Sequence, residues 1–339
     1  MSVIITHSDN DISTDEVMAW LYYKGNSPKR IKGDDFRTKP FSVILKSGKR
    51  NVKTSLNGKL ENNSETNPDN AFWFRRWFDF SGNITDFANS ELDSHEKLKL
   101  AVITHHHLRQ ERLTLDDWLH SYLSSKEMSL NKGFIEVNKL QVLDLADNLN
   151  LHIPDTLITN DRQEVKQFLN EKGRIITKPI SDAFLYIDNK NGSYVSYTEE
   201  VTEDAIDLLP EKIGTSLFQE LIEKQFELRI FYLDGSFYPM TIFSQKNSQT
   251  KIDFRQYDKV KPNRSTPFKL PYEVEEKLQC LLDELKLKTA SVDMIYTKDN
   301  RYVFLEVNPV GQFGMVSKPC NYHLEEKIAD HIISMDKSI

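Results

Sequence analysis

The stretch Phe304-Leu305-Glu306-Val307-Asn308-Pro309 constrains what this chain can fold into more than any other. It alternates as a strand does, so Glu306 and Asn308 project from one face while Leu305 and Val307 project from the other. One strand upstream, Thr289 to Thr297 also reads as extended, and Lys298-Asp299-Asn300 supplies turn chemistry between the two. Loop parity then decides where Asp293 lies. An even loop puts it on the face of Glu306 and Asn308, and a four-residue loop puts it directly opposite Glu306. An odd loop sends it to the wrong side. Two carboxylates and an amide oxygen on one face form a cluster of hard oxygen donors of the kind Mg²⁺ prefers. The competing reading is a half-solvated hairpin whose wet face is acidic, which is ordinary in antiparallel sheets. The rest of the chain has to decide between them.

At 339 residues there is room for about two domains, and two or three lobes are reasonable. A composition of 39% hydrophobic and 28% charged residues is that of a globular protein able to bury a core. The formal net charge of −7 argues against a general nucleic-acid binder, which needs a basic surface for phosphates. Cys280 and Cys320 stand far apart in unlike contexts, forming neither a disulfide framework nor a zinc knuckle. The first residues lack the basic flank and apolar run of a signal peptide. No stretch approaches the ~20 apolar residues that span a bilayer. A soluble, cytoplasmic protein with no nucleic-acid and no membrane partner is expected.

Val3 to Thr6 reads as a buried strand, and Ser13-Thr-Asp-Glu16 as a capping box opening a helix through Val17, Trp20, Leu21 and Tyr22. Phe41 to Leu45 and Val52 to Leu56 flank a hairpin signal, and the polar run Asn57 to Asn70 is expected as a surface loop. Ala71 to Phe80, dense in aromatics and carrying Arg75 and Arg76, reads as core rather than a partner patch. His105-His106-His107 sit in a helical pattern from Leu98 to Leu123, where neighbours splay about a hundred degrees apart and cannot share one ion. Asn138-Lys139 opens a helix with an apolar stripe of Val142, Leu145, Ala146 and Leu149. Glu164 to Leu169 and Thr202 to Leu209 read as short helices, Arg174 to Pro179 as a strand, and Ser181 to Thr198 as a hairpin. Three strands then run over Leu217 to Glu223, Phe226 to Leu233 and Ser236 to Ser244, with Asp234-Gly235 as the turn between the last two. A polar loop over Gln245 to Arg264, an amphipathic helix over Glu273 to Leu285, the acidic hairpin and a last helix from about Tyr322 complete the chain.

Several features share one chemistry. Lys178 ends an otherwise apolar strand before Pro179, where a lysine can act as a point charge for phosphate or simply snorkel. Phe218-Gln-Glu220-Leu221-Ile222 joins two strands through a polar connector of the kind that offers a flat purine its backbone donors and acceptors between apolar walls. Glu227 and Arg229 alternate and face one way, either toward a ligand or in cross-strand ion pairs. Asp253-Phe-Arg255 lies in a basic loop able to close over phosphates. Gly311 and Gly314, just after the acidic strand, permit close backbone approach or serve a turn.

The order Lys139, Ile-Thr-Lys178-Pro, Gln-Glu220-Leu-Ile with Glu227-Leu-Arg229, Asp253-Phe-Arg255, Val-Asp293 and Leu-Glu306-Val-Asn308-Pro resembles the ATP-grasp ligases over roughly residues 131 to 320. Phe304 to Tyr322, together with Phe226-Glu-Leu-Arg-Ile-Phe231, resembles one branch more closely: the peptide maturases of graspetide (microviridin-like, grasp-with-spasm) clusters. The resemblance implies a mixed α/β (α+β) ATP-grasp fold. A pre-ATP-grasp α/β lobe over residues 1–130 would help bind a leader peptide. A small central α+β lobe over 131–215 and a C-terminal antiparallel-sheet lobe over 216–339 with the metal site would follow. It implies ATP and Mg²⁺ as cofactors, with Lys139 and Lys178 on the phosphates. The backbone of Glu220, Leu221 and Ile222 would read adenine, and Glu227 the ribose. Asp293, Glu306 and Asn308 would hold Mg²⁺, and Arg229 and Arg255 would serve the γ-phosphate and the acyl phosphate. One departure is the phosphate-covering loop after Lys178, which has no glycine-rich run; Gly192 is its single glycine.

The implied reaction is macrocyclisation of a ribosomally made precursor peptide. Asp or Glu side chains are activated as acyl phosphates and joined to Ser, Thr or Lys side chains, releasing ADP and phosphate. A homodimer is a further implication of the resemblance. Two alternatives are an ATP-grasp carboxylate-amine ligase acting on an amino acid, small peptide or protein terminus, and a catalytically silent peptide-binding scaffold.

Overall fold

The computed structural model describes residues 2–6, 11–32, 44–46, 49–51, 53–54, 61–62, 70–75, 93–124, 129–131, 137–181, 185–188, 192–247, 249–256, 258 and 260–336. Phe41 to Val43, Val52, Ser55 to Leu56, most of the expected loop from Asn57 to Asn70, and Arg76 to Phe80 lie outside the described residues. The chain forms two compact units, residues 1–135 with 323–339, and residues 136–322.

In the first unit, β1 (Ser2–Thr6), α1 (Ile12–Tyr23) and β2 (Ser27–Ile31) make a strand–helix–strand start. The antiparallel ribbons β3 (Ile44–Lys46) with β4 (Lys49–Asn51), and β5 (Lys53–Thr54) with β6 (Glu61–Asn62), precede β7 (Asn70–Phe74) and α2 (Ser94–Ser124). The parallel sheet runs in the order β2-β1-β7. Ile5, Ala71, Phe72, Trp73 and Phe74 are buried, as are Val17, Met18 and Leu21 of α1, so the described part of the aromatic run serves the core. The cap of α1 is not Ser13 but Asp11. Its carboxylate accepts from the Thr14 amide at 3.4 Å and the Thr14 hydroxyl at 2.9 Å, starting the helix before the expected capping box. Lys46 of β3 faces Lys49 of β4, in keeping with the hairpin expected from sequence.

The second unit is built of antiparallel pairs. After α3 (Lys139–Asn148), capped by the Asn138 side chain, come β8 (Thr156–Asp161), α4 (Arg162–Lys172) and β9 (Ile175–Lys178). Next are β10 (Leu185–Asp188), β11 (Gly192–Val195), β12 (Glu199–Val201), α5 (Glu203–Asp207) and β13 (Lys212–Glu220). The stretch after Lys178, where a glycine-rich cover is missing, thus contains the two-stranded β10–β11 ribbon, with Gly192 opposite Asp188. A four-stranded sheet, β12-β9-β13-β8, packs Ile175 and Phe218 against Val165 and Ile206 of the two helices. Its other face carries Arg174, Ile176, Lys178 and Gln219, because side chains alternate across a strand.

The remaining strands are β14 (Lys224–Leu233), β15 (Ser236–Phe243) and β16 (Arg264–Pro267), followed by α6 (Tyr272–Glu284), β17 (Thr289–Thr297) and β18 (Tyr302–Asn308). They form a five-stranded sheet in the order β16-β15-β14-β17-β18. Asp234 and Gly235 both take positive φ (37° and 94°), as a two-residue hairpin turn requires. Helix α7 (Gly314–Cys320) was not anticipated; it lies where the sequence shows Gly314 and Pro319 rather than a periodic apolar stripe. The C-terminal helix Leu324–Asp336 belongs to the first unit, where Lys24 bridges Glu326 and Asp330 at 3.1 and 2.7 Å.

Gly311 serves packing rather than ligand approach. It has φ +58°, and a Cβ there would lie 3.2 Å from the Ala290 carbonyl carbon and from Phe231 Cε2. Gly311→Ala should lower the unfolding free energy by about 2 kcal/mol, since it adds left-handed strain to a contact with the backbone of β17. Urea denaturation checks this, and an unchanged midpoint would refute it.

Candidate active site

The turn Lys298-Asp299-Asn300 is odd. The Thr297 amide donates to Arg301 O at 3.0 Å across three residues, with Asn300 at φ 64°. Near the turn, Tyr296 therefore faces Tyr302 and Met294 faces Phe304. Continued unbroken, this register would set Asp293 against Leu305, on the wrong face. Instead the register shifts between Asp293 and Met294, leaving Leu305 as the extra residue of a β-bulge. Asp293 then faces Glu306, and Ser291 faces Asn308. The expected pairing is present, but a bulge rather than loop parity produces it. Leu305 is half-buried and lines the same cleft as Glu306, not the opposite face.

That cleft lies between the two sheets of the second unit and has an empty volume of about 1130 Å³, open solvent included. Its lining draws Lys178 from β9, Glu220, Leu221 and Ile222 from the connector, Glu227 from β14, Arg255 from the basic loop, and Asp293 and Glu306 from the hairpin. Arg229 stands beside it through Asp293, its Nη1 donating to Asp293 Oδ2 at 2.5 Å. Lys139 donates to the Ser181 carbonyl at 2.5 Å, and its charge still reaches Glu306 and Lys178. Asn308 does not line the cleft wall; its Oδ1 accepts the Val310 amide at 3.1 Å, which leaves one lone pair.

The electrostatics divide the two carboxylates. Burial pushes the Asp293 carboxyl above the usual range against the pull of Arg229, and the charge on Glu306 adds to the rise. Burial also opposes ionisation of Glu306, but Lys178, Lys139, Arg255 and Arg229 together outweigh it and hold that carboxyl below the usual range. Burial lowers the Lys178 ammonium, with Glu306 working the other way. Arg255 is held in place from its own loop. Asp253 accepts from its Nε at 2.8 Å and its Nη2 at 2.7 Å, and the Thr198 amide donates to the same carboxylate at 3.3 Å. Asp253, which in the sequence is only one member of the Asp-Phe-Arg motif, is buried and orients the arginine.

The backbone of the connector is partly engaged within the protein. Glu220 N–H donates to Asp155 O at 3.0 Å and Leu221 N–H to Arg174 O at 2.9 Å, while among the described residues no hydrogen bond engages the backbone of Ile222. Glu227 pairs with Lys224, which also donates to the Ile252 carbonyl at 3.2 Å. Burial pushes the Glu227 carboxyl up, and its Oε2 accepts no hydrogen bond among the described residues. Lys224 was not singled out from the sequence, because an exposed-looking Glu-Lys-Gln run gives no sign that its lysine is buried.

A divalent cation fits the hairpin. Asp293 Oδ1 is buried and accepts no hydrogen bond among the described residues, and Glu306 faces it. Among those residues no group of three or more His, Cys, Asp and Glu side chains converges. The two carboxylates, with the Asn308 amide two residues along β18 from Glu306, are hard oxygen donors that could hold such an ion.

Two sheets enclosing a charged cleft of this kind define the ATP-grasp fold. No protein-family model matches the sequence, and no curated protein matches it. Solved structures do. The macrocyclase MdnC of Microcystis aeruginosa, bound with precursor peptide MdnA, is 26% identical at a TM-score of 0.75, over 98% of this chain and 100% of that one. A Chryseobacterium gregarium RiPP-associated ATP-grasp ligase, in complex with ADP and a leader and core peptide, is 25% identical at 0.74, over 98% and 96%. The ATP-grasp ligase PsnB, complexed with minimal precursor, Mg and ADP, shares the fold at 18% identity and 0.70, over 99% and 98%. In fold, this chain matches a graspetide-like ATP-grasp peptide maturase.

Arg229→Met should destabilise the protein by roughly 3 kcal/mol by stranding the Asp293 carboxylate, whereas Arg229→Met with Asp293→Leu should recover most of the loss. Chemical denaturation of both variants checks it; equal losses would contradict the pairing.

Proposed function

We propose that this protein is an ATP-dependent macrocyclase of a ribosomally made precursor peptide. It joins Asp or Glu side chains to Ser, Thr or Lys side chains as ester or amide rings. The observation that carries the reading is the Asp293–Glu306 pair, flanked by Lys178, Arg229 and Arg255 at one cleft, in a chain that spans nearly the whole length of precursor-bound relatives.

In this reading ATP lies along the cleft, with adenine at the backbone of Glu220, Leu221 and Ile222 and the ribose on the free oxygen of Glu227. Lys139 and Lys178 hold the phosphates. The substrate carboxylate attacks the γ-phosphorus, ADP leaves, and an acyl phosphate forms on the peptide. A hydroxyl or amine of the same peptide then displaces phosphate and gives up its proton, closing the ring. The protein's share is placement and charge neutralisation, because phosphoryl transfer offers little covalent work. Arg255, oriented by Asp253, and Arg229 meet the negative charge that builds on the transferring group. Asp293, Glu306 and Asn308 would hold Mg²⁺, which when bound screens phosphate charge from the incoming carboxylate.

The same reading assigns residues 1–130 to leader-peptide contacts and the assembly to a homodimer; it assigns 131–215 and 216–339 to the two grasping lobes, although residues 323–339 group with the first unit. The reaction belongs in the cytoplasm, in keeping with two free cysteines, Cys280 and Cys320. Among the described residues no helix is long and apolar enough to cross a membrane.

Intact mass of a precursor peptide after incubation with the protein, ATP and Mg²⁺ tests the reading. It should fall by about one water per ring. ADP release driven by small amino acids with no mass change would replace it with the carboxylate-amine ligase, and neither event would leave a silent scaffold. Glu306→Ala should abolish turnover while the unfolding midpoint barely moves, since its side chain faces the cleft rather than the core; surviving turnover would refute the role. Arg229→Ala should cost turnover more than nucleotide affinity, and equal losses would point to simple binding.

A further inference from the structure

Lys224 and Glu227 form an ion pair between residues three apart on one strand, which a regular strand does not allow. Side chains alternate, so such residues point to opposite faces. The register of β14 against β17 resolves this. Lys224 faces Thr297 and Phe226 faces Tyr296, so Gln225 is an extra residue and β14 carries a bulge of its own. The Gln225 side chain turns to the hairpin turn, where its amide nitrogen donates to the Lys298 carbonyl at 3.4 Å. Lys224 is thereby brought round onto the cleft beside Glu227.

The ammonium delivered there is buried and serves two acceptors on different elements. One is Glu227 Oε1 on β14 itself; the other is the Ile252 carbonyl, in the loop from Ser244, at 3.2 Å. Each contact has a consequence for the cleft. With Oε1 engaged, Glu227 keeps Oε2 as the oxygen that accepts no hydrogen bond among the described residues. Burial raises the Glu227 carboxyl and Lys224 pulls it back down, so the ammonium favours the charged form. Ile252 precedes Asp253, whose carboxylate holds Arg255 Nε and Nη2 and accepts the amides of Arg255 at 3.0 Å and Thr198 at 3.3 Å. Fixing Ile252 therefore fixes the root of the group that presents Arg255.

We propose that Lys224 is a positioning residue for two parts of the cleft at once: it aims Glu227 Oε2 at the ribose hydroxyls, and it anchors the basic loop so that Arg255 meets the phosphates. The assignment rests on the reading of the cleft as an ATP site. The competing role, neutralising Glu227 alone, needs only the first contact and gives no reason for the second. A buried ammonium cannot exchange either partner for water, so its loss strands a carboxylate and a carbonyl together.

The test compares Lys224→Met with Glu227→Gln in the full chain. Calorimetry with ADP and 2′,3′-dideoxy-ADP reads the sugar contact. Wild type should favour ADP about tenfold, and Lys224→Met should shrink that preference to within about threefold. Hydrogen exchange reads the loop, at the amides of Thr198, Arg255 and Gln256, all of which Asp253 holds. Lys224→Met should speed their exchange about tenfold, whereas Glu227→Gln, which leaves the Ile252 contact in place, should change it by no more than about twofold. With precursor peptide and saturating ATP, kcat for ADP release should fall about fivefold further in Lys224→Met than in Glu227→Gln, which lost affinity alone does not produce. Equal exchange in the two variants, or equal kcat, would mean that Lys224 serves Glu227 alone and would overturn the assignment. A wild-type sugar preference surviving in Lys224→Met would overturn it too. Should Lys224→Met not fold, Lys224→Met with Glu227→Gln strands no buried carboxylate and takes its place; exchange no faster than in Glu227→Gln alone overturns the assignment. Failure of the wild type itself to bind ADP would overturn the nucleotide reading and this assignment with it, and is told apart because no substitution is involved.

Discussion

Everything at the cleft depends on two carboxylates being forced to face each other. At the ~5 Å separation typical of facing side chains, two like charges repel by about 3 kcal/mol at an effective dielectric of 20. A hairpin free to slip by one residue would relieve this by turning Asp293 to the other face. The bulge at Leu305 prevents it, because the odd turn on one side and the buried Val292–Val307 pairing on the other fix both ends of the shift. The repulsion is then offset locally. Arg229 takes Asp293, while Lys178, Lys139 and Arg255 act on Glu306, and the two acids end with carboxyls displaced in opposite directions. A site whose charges are balanced by cations drawn from two sheets, helix α3 and one loop is suited to a further divalent cation and a polyphosphate.

The two sheets divide the work. The five-stranded sheet presents the acidic hairpin, Arg229 and the Glu227–Lys224 pair, and the four-stranded sheet presents Lys178, Gln219 and the connector. The loop from Ser244 joins them. Asp253 receives the Thr198 amide at 3.3 Å, so Arg255 is oriented by a group that itself touches the segment leading into β12. Lys224 makes a second tie through the Ile252 carbonyl. These contacts give the loop a defined place over the cleft.

Much of this was legible in the sequence because strands in half-buried sheets advertise their period. The strands β14, β17 and β18 and the Asp-Gly turn at 234–235 read correctly as elements, although the alternation of β18 breaks at Leu305, and the ordered set of lysines, acids and arginines pointed to the resemblance that the solved relatives bear out. What was not legible has a common cause. A bulge leaves no trace in a single strand's alternation, since it is a property of the pairing and not of either segment. Asp11 displaced Ser13 as a cap because local spacing could not say which oxygen would reach the Thr14 amide. Helix α7 has no apolar stripe long enough to count, and Pro319 near its end argues locally against it. Gln219 and Lys224 look like surface residues until neighbouring strands bury them.

The central claim is that the facing carboxylates support activation of a peptide side chain as an acyl phosphate. Hydroxylamine trapping tests this most directly. Precursor peptide, ATP and Mg²⁺ are incubated with the protein in the presence of hydroxylamine, and the peptide is sequenced by mass spectrometry. A hydroxamate on an acidic side chain, formed only with ATP and lost in Glu306→Ala, is the predicted result. An unmodified peptide recovered while ATP is hydrolysed to ADP would contradict it.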